Sequence, residues 1–320
     1  MAKMTLSGLK SAMATYVAAA KQAGSWSATT ASFVGLLDKI AKTVTIDGGF
    51  EDKLPELDGE ELPFGKTIEE YFIDLTLPTA YSNITTEGAK DIVPALPSVE
   101  TVVYNYSLGK EKVKTTVPFN DFERALHTAE EAGNMSAKIV ERLTNSYDLT
   151  KFAEKKQLLG NAMDKAVSAG NYVKLSAPVD DETGEAFIQK IQELVEDASF
   201  ANESGALSGA LIGASPSLVL YVKKGTIPAM KVKTLAGAFN KEDLALGCEI
   251  KVVDDFGTMT NQKSCYALLV DPRGIKLHNG YNAIRKAENA DGDFVNIVKH
   301  FEHTGFISKH VYIKAIGTAN

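Results

Sequence analysis

The chain has 320 residues, 44% apolar and 23% charged, ordinary globular values that leave room for two or three lobes with cores. No apolar run approaches the roughly 20 residues of a membrane helix, and the longest, such as Leu218-Val219-Leu220-Tyr221-Val222, have strand length. The net charge of −7 is concentrated between Ile46 and Leu75, where ten acids face only Lys53 and Lys66, the reverse of what a protein gripping phosphates needs.

Residues 5–23 carry Leu6, Leu9, Met13, Tyr16, Val17 and Ala20 at helical spacing, which predicts a helix with one apolar face. Lys3 and Lys10 ahead of Ala12 faintly resemble a secretory signal. Ser11, Thr15 and the lack of a Leu-rich centre favour the amphipathic helix. Thr30 or Ser32 can cap a second helix with Phe33, Leu36, Leu37 and Ile40, ending near Lys42. From there to about Pro63 the acidic, Gly- and Pro-containing stretch predicts an extended connector whose backbone must either lie on other protein surface or remain mobile.

Gly65–Leu77 holds Ile68, Tyr71, Phe72, Ile73 and Leu75 without a clear period, and Pro78, Pro94 and Pro97 then break the chain. Val99–Tyr106 predicts a strand with Val102, Tyr104 and Tyr106 on one face. Glu111–Val117 predicts its partner, with Val113, Thr115 and Val117 aligned and Gly109 in the turn. Phe119, Asn120 and Glu123 form a helix start, Gly133-Asn134 predicts an interruption, and Ser136 to Ala169 predicts a strut-like helix with a weak point at Gly160. Beyond Gly170 the pattern is compact α/β: a helix over Val179–Phe200, buried strands at Ser217–Val222, Glu249–Val253 and Cys265–Val270, and two strands within Phe294–Ile316 turning at Thr304-Gly305.

Chemistry is sparse. Gly205, Gly209 and Gly213 lack the Lys-Ser/Thr of a phosphate loop, and Gly213-Ala214-Ser215-Pro216-Ser217 lacks the closing Gly of a nucleophile elbow. His300 and His303 fall on opposite strand faces, so they do not converge on a metal. Asn289, Asp291 and Asp293 have a misplaced Gly292 for a calcium loop, and Asp254-Asp255 reads as a turn at a strand end. The five histidines suggest no triad, and Cys248 and Cys265 have no metal or redox spacing. No catalytic residue, cofactor or metal ligand is expected.

The succession of pieces is more informative. Gly65–Leu75 leading into a hairpin, Pro118–Glu123 opening a long helix, Val270-Asp271-Pro272-Arg273-Gly274-Ile275-Lys276 and a terminal sheet resemble the major capsid proteins of tailed bacteriophages with the Hong Kong 97-like fold. The resemblance implies an α+β chain: an N-terminal arm and connector (1–63), an extended-hairpin or E-loop region (64–118), a peripheral domain with the spine helix (119–177 and 281–320) and an axial domain (178–280). It also implies a shell of hexamers and pentamers that encloses double-stranded DNA, held only weakly and non-specifically. Scaffolding and portal proteins are implied partners, a membrane is not, and the place of the protein is the virion after assembly in the host cytoplasm. Lys110, Lys112 and Lys114 lie on the hairpin, and nothing singles one out for crosslinking. The short stretch ahead of the hairpin makes a cleaved scaffolding segment unexpected.

A lone hairpin is marginal in water, so Val102, Tyr104, Val113 and Val117 are the expected assembly face, docking on a neighbour's spine helix. Two alternatives remain open at this point: a nanocompartment shell of the same fold, and an α/β enzyme with an N-terminal oligomerisation arm.

Overall fold

The computed structural model describes residues 52–62, 67–73, 99–104, 107–118, 129–201, 205–215, 217–226, 247–260, 264–289 and 294–318. The two N-terminal helices and the helix start at Phe119 lie outside the described residues.

The described chain opens with a strap, residues 52–62, containing a 3-10 turn at Pro55–Leu57. The strap is core, not connector: Leu54 and Leu57 are fully buried. Its backbone is paired as well, with Gly59 and Leu62 N–H donating to the carbonyls of Leu277 and Asn279, both at 2.8 Å. Fully buried Lys155 explains how so acidic a segment can fold inward. Its ammonium bonds Asp52, Asp58 (2.8 Å) and the Leu54 carbonyl (2.7 Å), and Lys151 reaches Asp58 at 2.7 Å. Burial would raise the Asp58 pKa, but Lys151 and Lys155 outweigh it and hold the carboxyl below its usual range.

Strands β1 (Ile68–Ile73) and β2 (Val99–Tyr104) form a two-stranded antiparallel ribbon. Strand β3 (Ser107–Pro118) does not join it. Instead β3 pairs antiparallel with β9 (Phe294–Ile307), which pairs with β8 (Ile275–Asn289), giving a three-stranded sheet β3-β9-β8. The expected hairpin of β2 with β3 is therefore corrected. Each strand finds a longer or better-matched partner elsewhere in the chain, β3 along ten residue pairs and β2 along six.

Helix α1 (Ala129–Ser168) spans 40 residues, about 60 Å, and runs straight through Gly133-Asn134, where an interruption was expected. It stops at Gly170, whose φ of 81° suits glycine. Gly170 N–H returns to Val167 O and Asn171 N–H to Ala166 O, a Schellman termination. Helix α2 (Asp181–Ala198) starts on Asp180, whose carboxylate accepts from Thr183 N–H at 2.9 Å.

The remaining strands, β4 (Tyr172–Lys174), β5 (Val219–Lys223), β6 (Glu249–Val253), β7 (Ser264–Val270) and β10 (Ile313–Thr318), build one mixed sheet in the order β4-β10-β7-β5-β6. Alternate residues serve the two faces. Val219, Tyr221, Leu268 and Val270 meet Leu158, Leu159, Ala162 and Met163 of α1 and Leu54 and Leu57 of the strap. Leu220, Val222 and Leu269 meet Phe187, Ile191 and Leu194 of α2. Coverage on both faces is why the central strands β5 and β7 read as apolar runs.

A further expectation changes: strand β9 continues through Thr304-Gly305, and the turn lies at 308–312. The five-stranded sheet takes β4 and β10 from either side of residues 178–280.

Candidate assembly interface

Ribbon geometry follows from pairing. With Ile68 opposite Tyr104, Glu70 opposite Val102 and Phe72 opposite Glu100, those six residues share one face, and Glu69, Tyr71, Ile73, Val99, Thr101 and Val103 share the other. The first face is seated on the subunit's own body, at the corner between β9 and β10. Tyr104 is buried, with its ring edge-on to Phe306 at 4.9 Å. Its hydroxyl donates to Glu70 Oε2 at 2.5 Å and accepts from Lys309 N–H at 3.1 Å, and the Ser308 hydroxyl donates to the other Glu70 oxygen. Burial, then Glu70, pushes the Tyr104 pKa well up, so this phenol stays a donor. Phe72 stacks on His310 at 4.1 Å and 5°.

The second face is apolar and open: Tyr71 is 66% exposed, Ile73 58%, Val99 54% and Val103 50%. Four such side chains on six-residue strands form a patch of the kind that marks a contact surface.

The four expected interface residues are thus separated. Val102 and Tyr104 point inward, one register step from the open face, and Tyr104 is part of the subunit's own packing. Val113 is half-buried on β3 opposite Lys299, and Val117 is paired with Val295 in the three-stranded sheet. The open apolar residues Tyr71, Ile73, Val99 and Val103 are ones the sequence reading did not single out. The signal available was the alternation Glu69-Tyr71-Ile73, masked by Ile68 and Phe72 on the opposite face.

Beneath the three-stranded sheet, α1 carries a buried polar cluster. The Tyr147 hydroxyl lies 3.2 Å from His303 Nε2, Glu154 holds His303 Nδ1, and the Lys299 ammonium sits 3.4 Å from the centre of the Tyr147 ring. Burial pulls the Lys299 pKa down to about 8 against the opposing pull of Asp148. His300 and His303 do lie on opposite faces of β9, the first half-buried and the second buried. Asp254 and Asp255 are paired by Lys156 at 2.9 and 3.0 Å, and Cys248 and Cys265 are not joined by a disulfide. Among the described residues no group of His, Cys, Asp or Glu side chains gathers as a metal site.

A long helix beside a three-stranded sheet, a two-layered α/β lobe and a projecting ribbon together define a phage-capsid type of chain. The structure resembles the capsid of Staphylococcus phage Andhra (TM-score 0.65, 14% identity, 87% of each chain covered). It also resembles a chain in the structure of the head fiber and inner core protein of native bacteriophage P68 (TM-score 0.66, 15% identity, 87% of each chain). A third likeness is to the capsid of an empty GTA particle (TM-score 0.54, 11% identity, 87% of this chain and 94% of that one). A search of curated proteins gives no match.

At those identities the likeness establishes the Hong Kong 97-like fold. The family follows from sequence: the model of the Phi29-like phage major capsid protein matches residues 21–315, and the chain belongs to that family. It is a structural protein of the icosahedral virion shell, and the family match decides for the phage shell over the nanocompartment and the enzyme.

Proposed function

We propose that the open face of the β1–β2 ribbon is the subunit's principal contact with a neighbouring copy, and that hexamers and pentamers held this way build the shell around packaged double-stranded DNA. One observation carries the reading: Tyr71, Ile73, Val99 and Val103, each at least half exposed, lie together on an otherwise well-seated ribbon. Covering them is worth about 1 kcal/mol each, since full burial of such a side chain gives about 1.5–3 kcal/mol and half is already gained. Repeated at every subunit, about 4 kcal/mol is decisive for a closed assembly.

On this reading residues 64–118 act as the projecting E-loop region, although β3 is supported as part of the peripheral sheet with β8 and β9. The spine α1 and that sheet form the peripheral domain, and α2 with the five-stranded sheet forms the axial domain. Residues 1–63 are the arm and connector, of which the acidic strap 52–62 packs into the core. The acidic balance favours a wall to which DNA adheres weakly. Scaffolding and portal proteins are the further partners, with assembly in the host cytoplasm, and no helix among the described residues is long and apolar enough to cross a membrane.

The test is Tyr71→Asp with Val103→Asp. The subunit should keep its far-ultraviolet circular dichroism and melt within a few degrees of wild type, because both residues point outward. Sedimentation and electron microscopy should show no shells. Shells of normal yield would mean that this face is not an interface.

A further inference from the structure

His310 occupies the corner on which the ribbon sits, and its surroundings are lopsided. The side chain is only 2% exposed. One ring face is covered by Phe72, and Nδ1 lies 3.1 Å from the Ser208 hydroxyl. Its main-chain N–H donates to the Ser308 hydroxyl that also binds Glu70. Nε2 is buried and has no hydrogen-bond partner among the described residues. The group nearest to supplying one is the Glu100 carboxylate on β2, 3.9 Å away and 55% exposed.

A neutral imidazole holds Glu100 more weakly than a charged one. If Nδ1 carries the hydrogen, Nε2 presents an unmatched lone pair toward a carboxylate; if Nε2 carries it, Ser208 can donate to Nδ1, but Nε2–H meets Glu100 only as a neutral donor, without a charge to draw the carboxylate in. A charged imidazole has a hydrogen on both nitrogens, one for Ser208 and one for Glu100. The exposed Glu100 side chain can close the remaining gap by rotation. The positive charge would also sit over the electron-rich face of Phe72. Every one of these partners except Ser208 belongs to the ribbon.

We propose that His310 is a proton-operated latch: charging its imidazole tightens the β1–β2 ribbon onto the body of the subunit through Glu100. The titratable and charged groups around it support the direction. From β2 it faces Glu100; from β1, Glu70 lies behind Ser308 and is already engaged by Tyr104; Ser208 brings no charge. Lys309, its chain neighbour, whose charge Lys165 of α1 also feels, is the cation that opposes charging, and Glu100 acts against it. The gain is therefore present when the imidazole is charged and lost when it is neutral. The latch concerns the ribbon's seat within one subunit and goes beyond the identity of the surface that covers its open face.

Hydrogen–deuterium exchange of residues 99–104 in the full-length, unassembled subunit tests this, read as protection factors at about pH 5.5 and about pH 7.5, on either side of an ordinary histidine's titration. Wild type should be about two- to fivefold more protected at the acid pH, the range of a half-exposed ion pair. Glu100→Gln, on an exposed side chain, should keep the neutral-pH protection and lose the acid gain, and His310→Gln should do the same if it folds. Equal protection of wild type at both pH values overturns the latch, and so does an acid gain that survives in E100Q.

Discussion

Gly160 lies in the interior of α1, where replacement by alanine ordinarily stabilises a helix by about 1 kcal/mol. In this protein the sign should reverse. A Cβ at position 160 would stand 2.1 Å from the Phe256 carbonyl oxygen, where real Cβ atoms essentially never come within 3.0 Å, so the loop must withdraw by about 0.9 Å. The obstacle is backbone, and no rotamer relieves it. Nor is the loop free to withdraw. Lys156 holds Asp254 and Asp255, and the Gln157 amide both accepts from Thr258 N–H (3.0 Å) and donates to Thr258 O (2.8 Å). Asp164 accepts from the Thr260 N–H (2.7 Å) and hydroxyl (2.8 Å), and Phe256 itself is 3% exposed in the core. Overpacking costs about 1–3 kcal/mol and each loosened hydrogen bond about 1 kcal/mol. After subtracting the helix gain, Gly160→Ala should destabilise by about 1–3 kcal/mol. Urea unfolding followed by circular dichroism on unassembled subunits measures this without the contribution of assembly. A midpoint equal to or above wild type would refute the account of why α1 carries a glycine there.

Two other perturbations separate the buried cations. Lys299→Met should flatten an alkaline slope. The folded pKa of about 8 lies below the ordinary 10.5, so between those values the unfolded chain binds the proton and the folded chain does not, and stability rises with pH. Relative to the variant, wild type should gain about 1–2 kcal/mol between about pH 8 and 9.5, less than the full 2.5-unit linkage of about 3 kcal/mol. Comparison with the variant cancels the opposite trend from Cys248, whose thiol burial pushes up to about 11. Identical urea midpoints across that range would exclude a depressed Lys299. Lys155→Met should cost about 2–3 kcal/mol, below the figure for a fully buried pair because Asp52 and Asp58 stay partly hydrated. It should also speed proteolysis within the strap, and an unchanged cleavage rate would show that the strap is held without help from Lys155.

The parts of the fold legible in the sequence were those whose signal is local. The buried strand Cys265–Val270 shows an unbroken apolar run and the helix over Val179–Phe200 a helical stripe, and both are found within a residue or two, whereas Glu249–Val253 is found as a strand but is largely uncovered. What escaped was long-range pairing. Strand β3 looked like the partner of β2 because only a few residues separate them, yet its hydrogen bonds run to β9, 180 positions away at Thr116 and Asn296. The strap escaped for a related reason. Ten acids in thirty residues read as solvated surface, and nothing local says that Lys155 lies buried where two of those carboxylates can neutralise it.

The candidate interface shows what such a pairing error does to a functional inference. Choosing the right strand was enough to locate β2, but which of its faces is free depends on what β1 and the 306–310 corner cover. Tyr104 lies on the apolar face that a hairpin too small to hold itself is expected to dock on a neighbour. It is engaged by Glu70, Phe306 and Lys309 of its own chain, and the parity of the strand then turns Val99 and Val103 outward. A period of two makes the two possible answers disjoint. Substituting Tyr104 would therefore perturb assembly as well, but by unseating the ribbon, and it would appear first as lost amide protection in the free subunit. Substituting Val103 should leave that protection intact and act only when a second copy arrives. The order of those two effects distinguishes a residue that places the interface from one that forms it.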